Sequence, residues 1–296
     1  MEAKTTDSSL FNIIGYTILI LFSIVCIFPF LLLLSGSFTS NESIIVDGYH
    51  LIPKVFSWRA YDAVLVFPGR VIKAYMVTTS VTVIGSFTGL LLMTMAGYVL
   101  QRKDFKYRNK LSFFIYFTTL FGGGLVPWYI LMTKYLHLTN SYLALIIPGL
   151  MTPFLIILMR SFIKAAVPEE LSESAKIDGA NDFRIYYRIV LPLSMPGIAT
   201  VGLFLALQYW NSWFLSSMFI TEQAKYELQY FLYNIINAAS FANGLGVSTG
   251  VTLGYDMPTE SMKLAMAMIT TGPILLLYPF IQRYFVKGLT IGAVKG

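Results

Sequence analysis

Charged residues are scarce in this chain of 296 residues, which contains only 12% Asp, Glu, Lys and Arg against 56% hydrophobic residues. Soluble domains carry roughly 25% charged residues, because charge covers the surface that faces water. This shortage excludes a water-soluble enzyme, a disordered tail and a fibrous protein. The composition therefore predicts an integral membrane protein.

Cysteine and histidine are rarer still, since Cys26 stands alone and His50 and His137 are far apart. A single cysteine cannot form an intrachain disulfide, and two isolated histidines do not make a structural metal site. The phosphate-binding pattern G-x-x-x-x-G-K-[ST] is missing as well. If this protein uses ATP, we expect a separate chain to bind the nucleotide, so no cofactor and no metal is assigned to this one.

Six apolar segments are long enough for a helix that crosses the roughly 30 Å hydrocarbon layer. Their apolar cores lack the charged groups that ion-coupled transporters and proton pumps keep at mid-depth. We therefore predict an all-α polytopic membrane protein with one transmembrane domain over residues 1–296. The predicted spans are residues 13–34, 75–100, 111–132, 142–159, 195–220 and 262–286.

Glycine and proline mark special positions in and between these spans. Gly85 and Gly89 lie four residues apart, a spacing that lets helices approach closely. The run Gly122–Gly124, followed by Pro127, predicts a break or a loosened turn in the third span. The connection 221–261 contains a Gly-rich stretch, and we expect an external cap with short surface helices there.

Lysine and arginine are divided unequally between the two sides of the membrane. The predicted spans place fourteen of the 21 basic residues on the side that holds both termini and seven on the other side. Cytoplasmic loops carry such an excess, so both termini are predicted to lie in the cytoplasm. This topology explains the net charge of +6 better than nucleic-acid binding does.

The longest cytoplasmic connection, residues 160–194, has a clear helical pattern. A helix over residues 170–177 is followed by Gly179, which suits a left-handed cap, and by a second predicted helix over residues 180–190 that Pro192 ends. A hairpin lying on lipid headgroups is the alternative, but anionic lipid would repel its five acidic residues. We therefore expect a protein partner. One face of the second helix is formed by Phe183, Tyr186, Tyr187 and Val190.

The same connection resembles the EAA motif of importer-type ABC transporter permeases. Residues 288–296 resemble the tail of maltose-type carbohydrate permeases, and Pro258–Glu260 is similar to the subgroup that imports complex oligosaccharides. The resemblance covers essentially the whole chain, with Ser174 in place of the usual first alanine of the motif. The matching residues are Glu173, Ser174, Ala175, Asp178, Gly179, Ala180, Ile189, Leu191 and Pro192.

This resemblance implies a bacterial cell membrane as the location and the fold and partners of a type I ABC importer permease, with six transmembrane helices and a coupling-helix loop between the fourth and fifth. A homologous second permease would complete the pathway as a heterodimer, and two cytoplasmic ATPase subunits would bind ATP and Mg²⁺. An extracellular sugar-binding lipoprotein would deliver the substrate. Glu173 would face a basic residue of the ATPase, Gly179 would set the turn, and Ala175 and Ala180 would keep the contact close.

Polar and aromatic side chains are grouped near the outer end of the fifth span. Sugars are bound by aromatic faces together with hydrogen-bonding side chains around the ring. An aromatic belt at the membrane interface would use the same residue types, so both interpretations stay open. The candidate pathway residues are Gln208, Tyr209, Trp210, Asn211 and Trp213, with Trp128 on the third span.

Three other functions compete with carbohydrate import. An ABC permease for amino acids, peptides or phosphate would share the EAA motif. A membrane-embedded enzyme acting on lipid-linked sugars would need clustered Asp, Glu, His or Lys near the membrane face, and the only acidic cluster lies in the patterned connection. A secondary transporter is disfavoured by the uncharged span cores. The sequence favours a transporter subunit for carbohydrate, not an enzyme.

Overall fold

The protein is helical wherever its structure is described. A computed structural model describes residues 6–66, 68–249 and 258–275, and within these ranges extended backbone pairs only in an isolated bridge between Thr39 and Phe56. The predicted all-α class is confirmed for these residues. In chain order the helices are α1 (Thr6–Ser37), α2 (Asn41–Asp47), α3 (Arg59–Val64), α4 (Pro68–Gln101), α5 (Arg108–Leu120), α6 (Leu125–Ile130), α7 (Tyr142–Ile146), α8 (Pro153–Ala166), α9 (Glu169–Ile177), α10 (Asp182–Ile185), α11 (Leu191–Leu193), α12 (Met195–Trp210), α13 (Phe214–Phe219), α14 (Leu228–Thr249) and α15 (259–275).

Two of these helices are long and apolar enough to cross a membrane, namely α1 from Phe11 onward and α4. Three pairs of helices pass the same test jointly, but each pair is bent at a short break. The bends are 112° between α5 and Leu125–Tyr135, 49° between Tyr142–Gly149 and α8, and 81° between Asp182–Leu193 and α12. The described residues thus contain two to five candidate spans, and part of the sixth predicted span lies outside them.

Local chemistry explains each of the three breaks. Gly124 has a φ of 87°, a left-handed conformation, at the break that the glycine run predicts. Pro153 begins α8 and keeps the preceding Thr152 extended. Ser194 leaves helical geometry (φ −90°, ψ 6°) between α11 and α12, and Pro196, which has no backbone N–H, lies in the first turn of α12. The break within residues 111–132 is the one predicted, whereas the helices over residues 142–159 and 195–220 are interrupted where no break was predicted.

The described helices fall into two compact units. The first contains α1–α3, most of α15, and α14 from Leu232 onward, and the second contains α4–α13. In the first unit, the ring centroids of Phe38 and Trp58 lie 4.9 Å apart within an aromatic cluster. The side-chain oxygen of Asn41 accepts the backbone N–H of Glu260 (2.9 Å), and this bond joins α2 to α15.

In the second unit, α4, α8 and α12 contribute to one apolar core, which includes the buried Tyr209. The hydroxyl of Tyr209 donates to the Ile146 carbonyl (2.7 Å). A Cβ on Gly85 or Gly149 would lie 2.6 Å from an atom of the Tyr209 ring or hydroxyl, so both positions need glycine for space. Gly85 thus provides the close approach predicted from its spacing to Gly89, and the group that approaches is an aromatic ring.

A long helix, α14, follows a buried glutamate in the connection after α13. Short surface helices are the expectation for residues 221–261, and that expectation is wrong because α14 runs for 22 residues. Just before α14, Glu227 is fully buried and its Oε2 accepts the Ser216 hydroxyl (2.8 Å). Its Oε1 has no hydrogen-bond partner in the described part of the chain. The N–H of Leu228 donates to the Thr78 hydroxyl on α4 (2.7 Å).

Burial raises the pKa of Glu227 to about 7 from an ordinary value of 4.5, while the nearby hydroxyls of Ser216 and Ser212 act in the opposite direction. An acid whose pKa is raised by folding contributes its full stabilisation below the unfolded pKa. That stabilisation is lost as the pH rises through the folded pKa. The shift corresponds to a free-energy difference on the order of 3 kcal/mol between low and high pH.

We predict that the thermal stability of the detergent-solubilised protein falls from about pH 5 to about pH 8. Glu227→Gln should remove most of this decline, because the amide keeps an acceptor for Ser216 without a titratable proton. The measurement is thermal unfolding as a function of pH. Glu222→Gln changes an exposed carboxylate of the same connection and should decline like the parent. An equally steep decline in Glu227→Gln would contradict this assignment.

Candidate functional site

The connection 160–194 begins with a short helix whose start is well defined. The helix α8 ends at Ala166, and Pro168 precedes α9 with an extended backbone (φ −56°, ψ 141°). Glu169 and Glu170 lie in the first turn of α9, where the helix dipole favours negative charge. The predicted first helix is confirmed and begins one residue earlier than expected.

A Schellman motif closes α9 at Gly179. The Gly179 N–H donates to the Lys176 carbonyl (3.0 Å), and the Ala180 N–H donates to the Ala175 carbonyl (2.9 Å). Gly179 has a φ of 80°, and no described heavy atom beyond its chain neighbours lies within 4 Å of a Cβ built on it. Backbone conformation, not lack of space, therefore favours glycine here. The left-handed cap predicted from the sequence is confirmed.

The segment after the turn is not the single helix predicted over residues 180–190. Asn181 caps α10 by accepting the Arg184 N–H (2.9 Å), and a π-helical turn, Tyr186–Val190, follows. Pro192 lies inside α11 and does not end the helix as predicted. Proline cannot donate an N–H to the carbonyl four residues earlier, and the wider π-helical turn immediately precedes it.

The predicted apolar face of this segment is split in two. Residues four apart share a side of a helix, so the four positions form two pairs. Tyr186 and Val190 are buried, and the Tyr186 hydroxyl lies 2.6 Å from the Thr94 hydroxyl on α4. Phe183 and Tyr187 are 64% and 54% exposed. Tyr186 and Val190 therefore pack against their own unit, whereas Phe183 and Tyr187 are exposed.

The nine residues that match the EAA motif also face two directions. The exposed members are Glu173, Ser174, Asp178, Gly179 and Pro192. The members that pack against the apolar core of the second unit are Ala175, Ala180, Ile189 and Leu191. The resemblance places Ala175 and Ala180 at a partner contact, and in the structure both are also partly packed against the core of their own unit.

Exposed apolar side chains on this connection are a feature that the sequence reasoning missed. Ile177 is 87% exposed at the last position of α9, and Leu171 is 43% exposed on the same helix. Together with Phe183 they place apolar surface beside exposed acidic groups such as Glu173. Such patches on a polar background are typical of protein contacts. The signal was available in the sequence, because Ile177 directly precedes the predicted turn.

Four of the six candidate pathway residues border one cleft of about 320 Å³ in the second unit. The break between α12 and α13 places Asn211 and Trp213 outside helical geometry at this cleft. Gln208 and Asn211 are exposed, and Trp213 is 45% exposed. The residues that line the cleft are Pro148, Gly149, Gln208, Tyr209, Asn211, Ser212, Trp213, Phe214 and Leu215.

The remaining two candidates lie elsewhere. Trp210 is buried, with its ring centroid 6.4 Å from that of Tyr75, and Trp128 packs edge-on against Phe219 at 5.0 Å. Tyr209 borders the cleft but commits its hydroxyl to a backbone carbonyl. Trp210 and Trp128 thus pack against neighbouring rings outside this cleft. Gln208, Asn211 and Trp213 remain the candidates for contact with a solute.

Comparison with known proteins extends the resemblance beyond the motif. The chain matches the family described as "Binding-protein-dependent transport system inner membrane component" over residues 8–291. It is 38% identical over 288 residues to the polygalacturonan/rhamnogalacturonan transport system permease protein of Bacillus subtilis (strain 168), covering 97% of this chain and 99% of that protein. The arabinooligosaccharides transport system permease protein of Halalkalibacterium halodurans is 28% identical over 282 residues, covering 92% of each chain.

A solved structure has the same fold. It is the crystal structure of a bacterial ABC transporter involved in the import of the acidic polysaccharide alginate, with a TM-score of 0.77 and 26% identity over 96% of this chain and 100% of that chain. Both the sequence and the fold of this chain are thus similar to those of ABC transporter permeases over nearly the full length. The chain belongs to the family of binding-protein-dependent transport system inner membrane components and is a membrane-embedded transporter subunit rather than an enzyme.

Proposed function

We propose that this chain is one of two permease subunits of an ATP-driven importer and that it translocates a carbohydrate, specifically an oligosaccharide. Full-length similarity to sugar permeases is the observation that carries this proposal. The relatives named above are permeases for polygalacturonan and rhamnogalacturonan or for arabinooligosaccharides, and the structural neighbour takes part in alginate import. A permease for amino acids, peptides or phosphate has no comparable support among these relatives.

The proposed topology has six spans in a single transmembrane domain over residues 1–296, with both termini in the cytoplasm. The excess of basic residues on one side supports this orientation. The bent helix pairs are compatible with spans that are interrupted where protein surrounds them, because irregular backbone at membrane depth is tolerated there. On this topology the connection 160–194 lies on the cytoplasmic side and the Gln208–Trp213 cleft toward the outside.

The proposed partners divide the work of transport. A homologous but non-identical second permease completes the pathway, and two cytoplasmic ABC ATPase subunits bind ATP and Mg²⁺. An extracellular sugar-binding lipoprotein delivers the solute. This chain binds no cofactor in the proposal, because its sequence lacks the glycine-rich loop that cradles phosphates.

The ATPase contact is assigned to the outward face of the connection 160–194. Ile177 and Phe183 offer apolar surface, while Glu173 and Asp178 offer exposed negative charge around the Gly179 turn. A cleft with an apolar floor and a basic rim would complement this face. Burial of the apolar groups would provide affinity, and the charges would set the orientation.

We predict that Gly179→Val abolishes most ATP-driven uptake in a reconstituted complex without preventing membrane insertion. A β-branched residue at positive φ costs on the order of 1–3 kcal/mol. We expect the backbone at residue 179 to change conformation to avoid this strain, and the change displaces α9 relative to α10. The measurement is uptake together with ATP hydrolysis in vesicles, with assembly checked by size.

Two variants control for strain and for position. Gly179→Asn should retain transport, because asparagine tolerates the left-handed conformation. Gly48→Val also places a β-branched residue at a positive φ, of 82°, with open space around the Cβ, but it lies outside the proposed contact. Parent-like uptake by Gly179→Val would remove the main structural support for docking through this connection.

We predict that Trp213→Ala and Asn211→Ala weaken uptake without changing assembly. Loss of one aromatic contact with a sugar ring, worth about 1 kcal/mol, should raise the half-saturating concentration about fivefold. The measurement is concentration-dependent uptake of labelled oligogalacturonides and arabinooligosaccharides. Trp58→Ala removes an exposed tryptophan outside the cleft and should leave uptake unchanged. Unchanged uptake in both cleft variants would favour an interfacial aromatic belt.

A further inference from the structure

Four charged side chains connect the inner end of α4 to both short helices of the connection 160–194, and we call them the ionic cluster: Arg102, Asp104, Lys176 and Asp182. Arg102 donates from Nε to Asp104 (2.8 Å) and from Nη2 to the other oxygen of the same carboxylate, which is a bidentate pair. Its Nη1 donates to Asp182 on α10 (2.5 Å). Lys176 on α9 donates to Asp104 (2.5 Å).

The ionic cluster differs from an ordinary pair of surface charges. Single exposed ion pairs contribute little, but a bidentate arginine within a network is the recognised exception. The Arg102 side chain is only 18% exposed, and its guanidinium lies 5.6 Å from the centre of the Tyr98 ring. Hydrogen bonds from Arg102 and then Lys176 hold the pKa of Asp104 well below its usual range, so this carboxylate stays charged.

A second set of contacts joins the same face of α4 to the connection. Thr94, Tyr98 and Arg102 follow one another at four-residue spacing and so lie on one side of the chain as it leaves α4. The Thr94 hydroxyl contacts the Tyr186 hydroxyl in the buried interior, and the Tyr98 and Tyr186 rings lie 5.9 Å apart. Both helices around Gly179 are therefore attached to α4, α9 through Lys176 and α10 through Asp182 and Tyr186.

The helix α4 is the stiffest route from this attachment to the cleft. It runs for 34 residues without a break, whereas the covalent path from α10 and α11 into α12 passes through an 81° bend. At the middle of α4, Gly85 packs on the ring of Tyr209, a residue that borders the cleft. A displacement of the inner end of α4 is thus delivered to the cleft wall by one continuous helix.

We propose that Arg102 and Asp104 are positioning residues that make α9, α10 and α4 move as one body, so that movement of the connection on the ATPase reaches the cleft through α4. The proposal rests on the docking role proposed above. Without the ionic cluster, the glycine turn and the 81° bend would absorb the movement. The cluster thus governs transmission, while docking belongs to the outward face.

The experiment measures transmission directly and needs no transported sugar. Cys26 is the only cysteine in the chain, so Cys26→Ser provides a background in which Asn211→Cys reports on the cleft. In the assembled complex with both permeases and the ATPase, the rate of maleimide labelling is compared with and without ATP plus vanadate. In this background we expect the nucleotide to change the rate about fivefold or more, and Asp104→Asn to reduce the change to less than about twofold. ATP hydrolysis should persist in Asp104→Asn.

Two further variants separate positioning from a general structural defect. Asp104→Glu keeps the shared negative charge and should restore at least half of the response, whereas Lys106→Gln removes a charge from the same loop outside the cluster and should behave like the parent. If Asp104→Asn does not assemble, Asp182→Asn, which releases only α10 from Arg102, takes its place and should show the same reduction.

The possible failures are distinguishable. A full nucleotide response in an assembled Asp104→Asn or Asp182→Asn complex would overturn the proposal while leaving docking intact. A labelling rate that nucleotide does not change in the otherwise unaltered reporter chain would overturn it as well. Failure of that chain to assemble with any ATPase would instead contradict the proposed function itself.

Discussion

Inside hydrocarbon, backbone N–H and C=O groups find no water, so every departure from a helix needs a partner within the protein. The described residues meet this constraint in two ways. The helix α4 never departs from helical geometry over 34 residues. The bent spans break where a side chain or a special residue provides for the freed groups, as the Thr152 hydroxyl does by donating to the Gly149 carbonyl (3.3 Å) before Pro153. The cleft at Gln208–Trp213 exists because α12 ends there.

The few charged residues of this chain make their ionic contacts mainly in the connections between the predicted spans. With uncharged span cores, ionic contacts concentrate in the connections, and the densest set joins Arg102 to the 160–194 connection. Lys103 adds a pair with Glu169 (2.6 Å) at the start of α9. Apolar burial holds the helices together, while charge fixes how the connection sits on α4. This division leaves the outward face of the connection free for a partner.

Local features were predictable from the sequence because their causes are local. A glycine between two helix-forming runs predicts a left-handed cap, and Gly179 has one. The run Gly122–Gly124 predicts the break in the third span. The length of α14 was not predictable, because glycine normally weakens a helix, yet α14 continues through Gly244 and Gly246. The contact between Lys176 and Asp104 spans 72 residues, and one sequence holds no information about such a pairing.

The positions of the candidate pathway residues were also only partly predictable from the sequence. Spacing on an ideal helix assumes that residues 208–213 continue α12, but Asn211 ends the helix and turns Trp213 into the cleft. The residue types in this segment therefore predicted the cleft lining better than their spacing on an ideal helix did. Tyr209 and Trp210 carry the same aromatic signal as Trp213, yet burial gives them packing roles.

Docking of the 160–194 connection on the ATPase is tested most directly by photo-cross-linking in the assembled complex. A photo-activatable side chain replaces Ile177, which is 87% exposed at the turn. The same group replaces Val46, which is 82% exposed in the connection between the first two predicted spans, on the outer side in the proposed topology. We expect the probe at Ile177 to cross-link the ATPase subunit and the probe at Val46 not to. An ATPase cross-link at Val46, or none at Ile177, would contradict both the orientation and the docking surface.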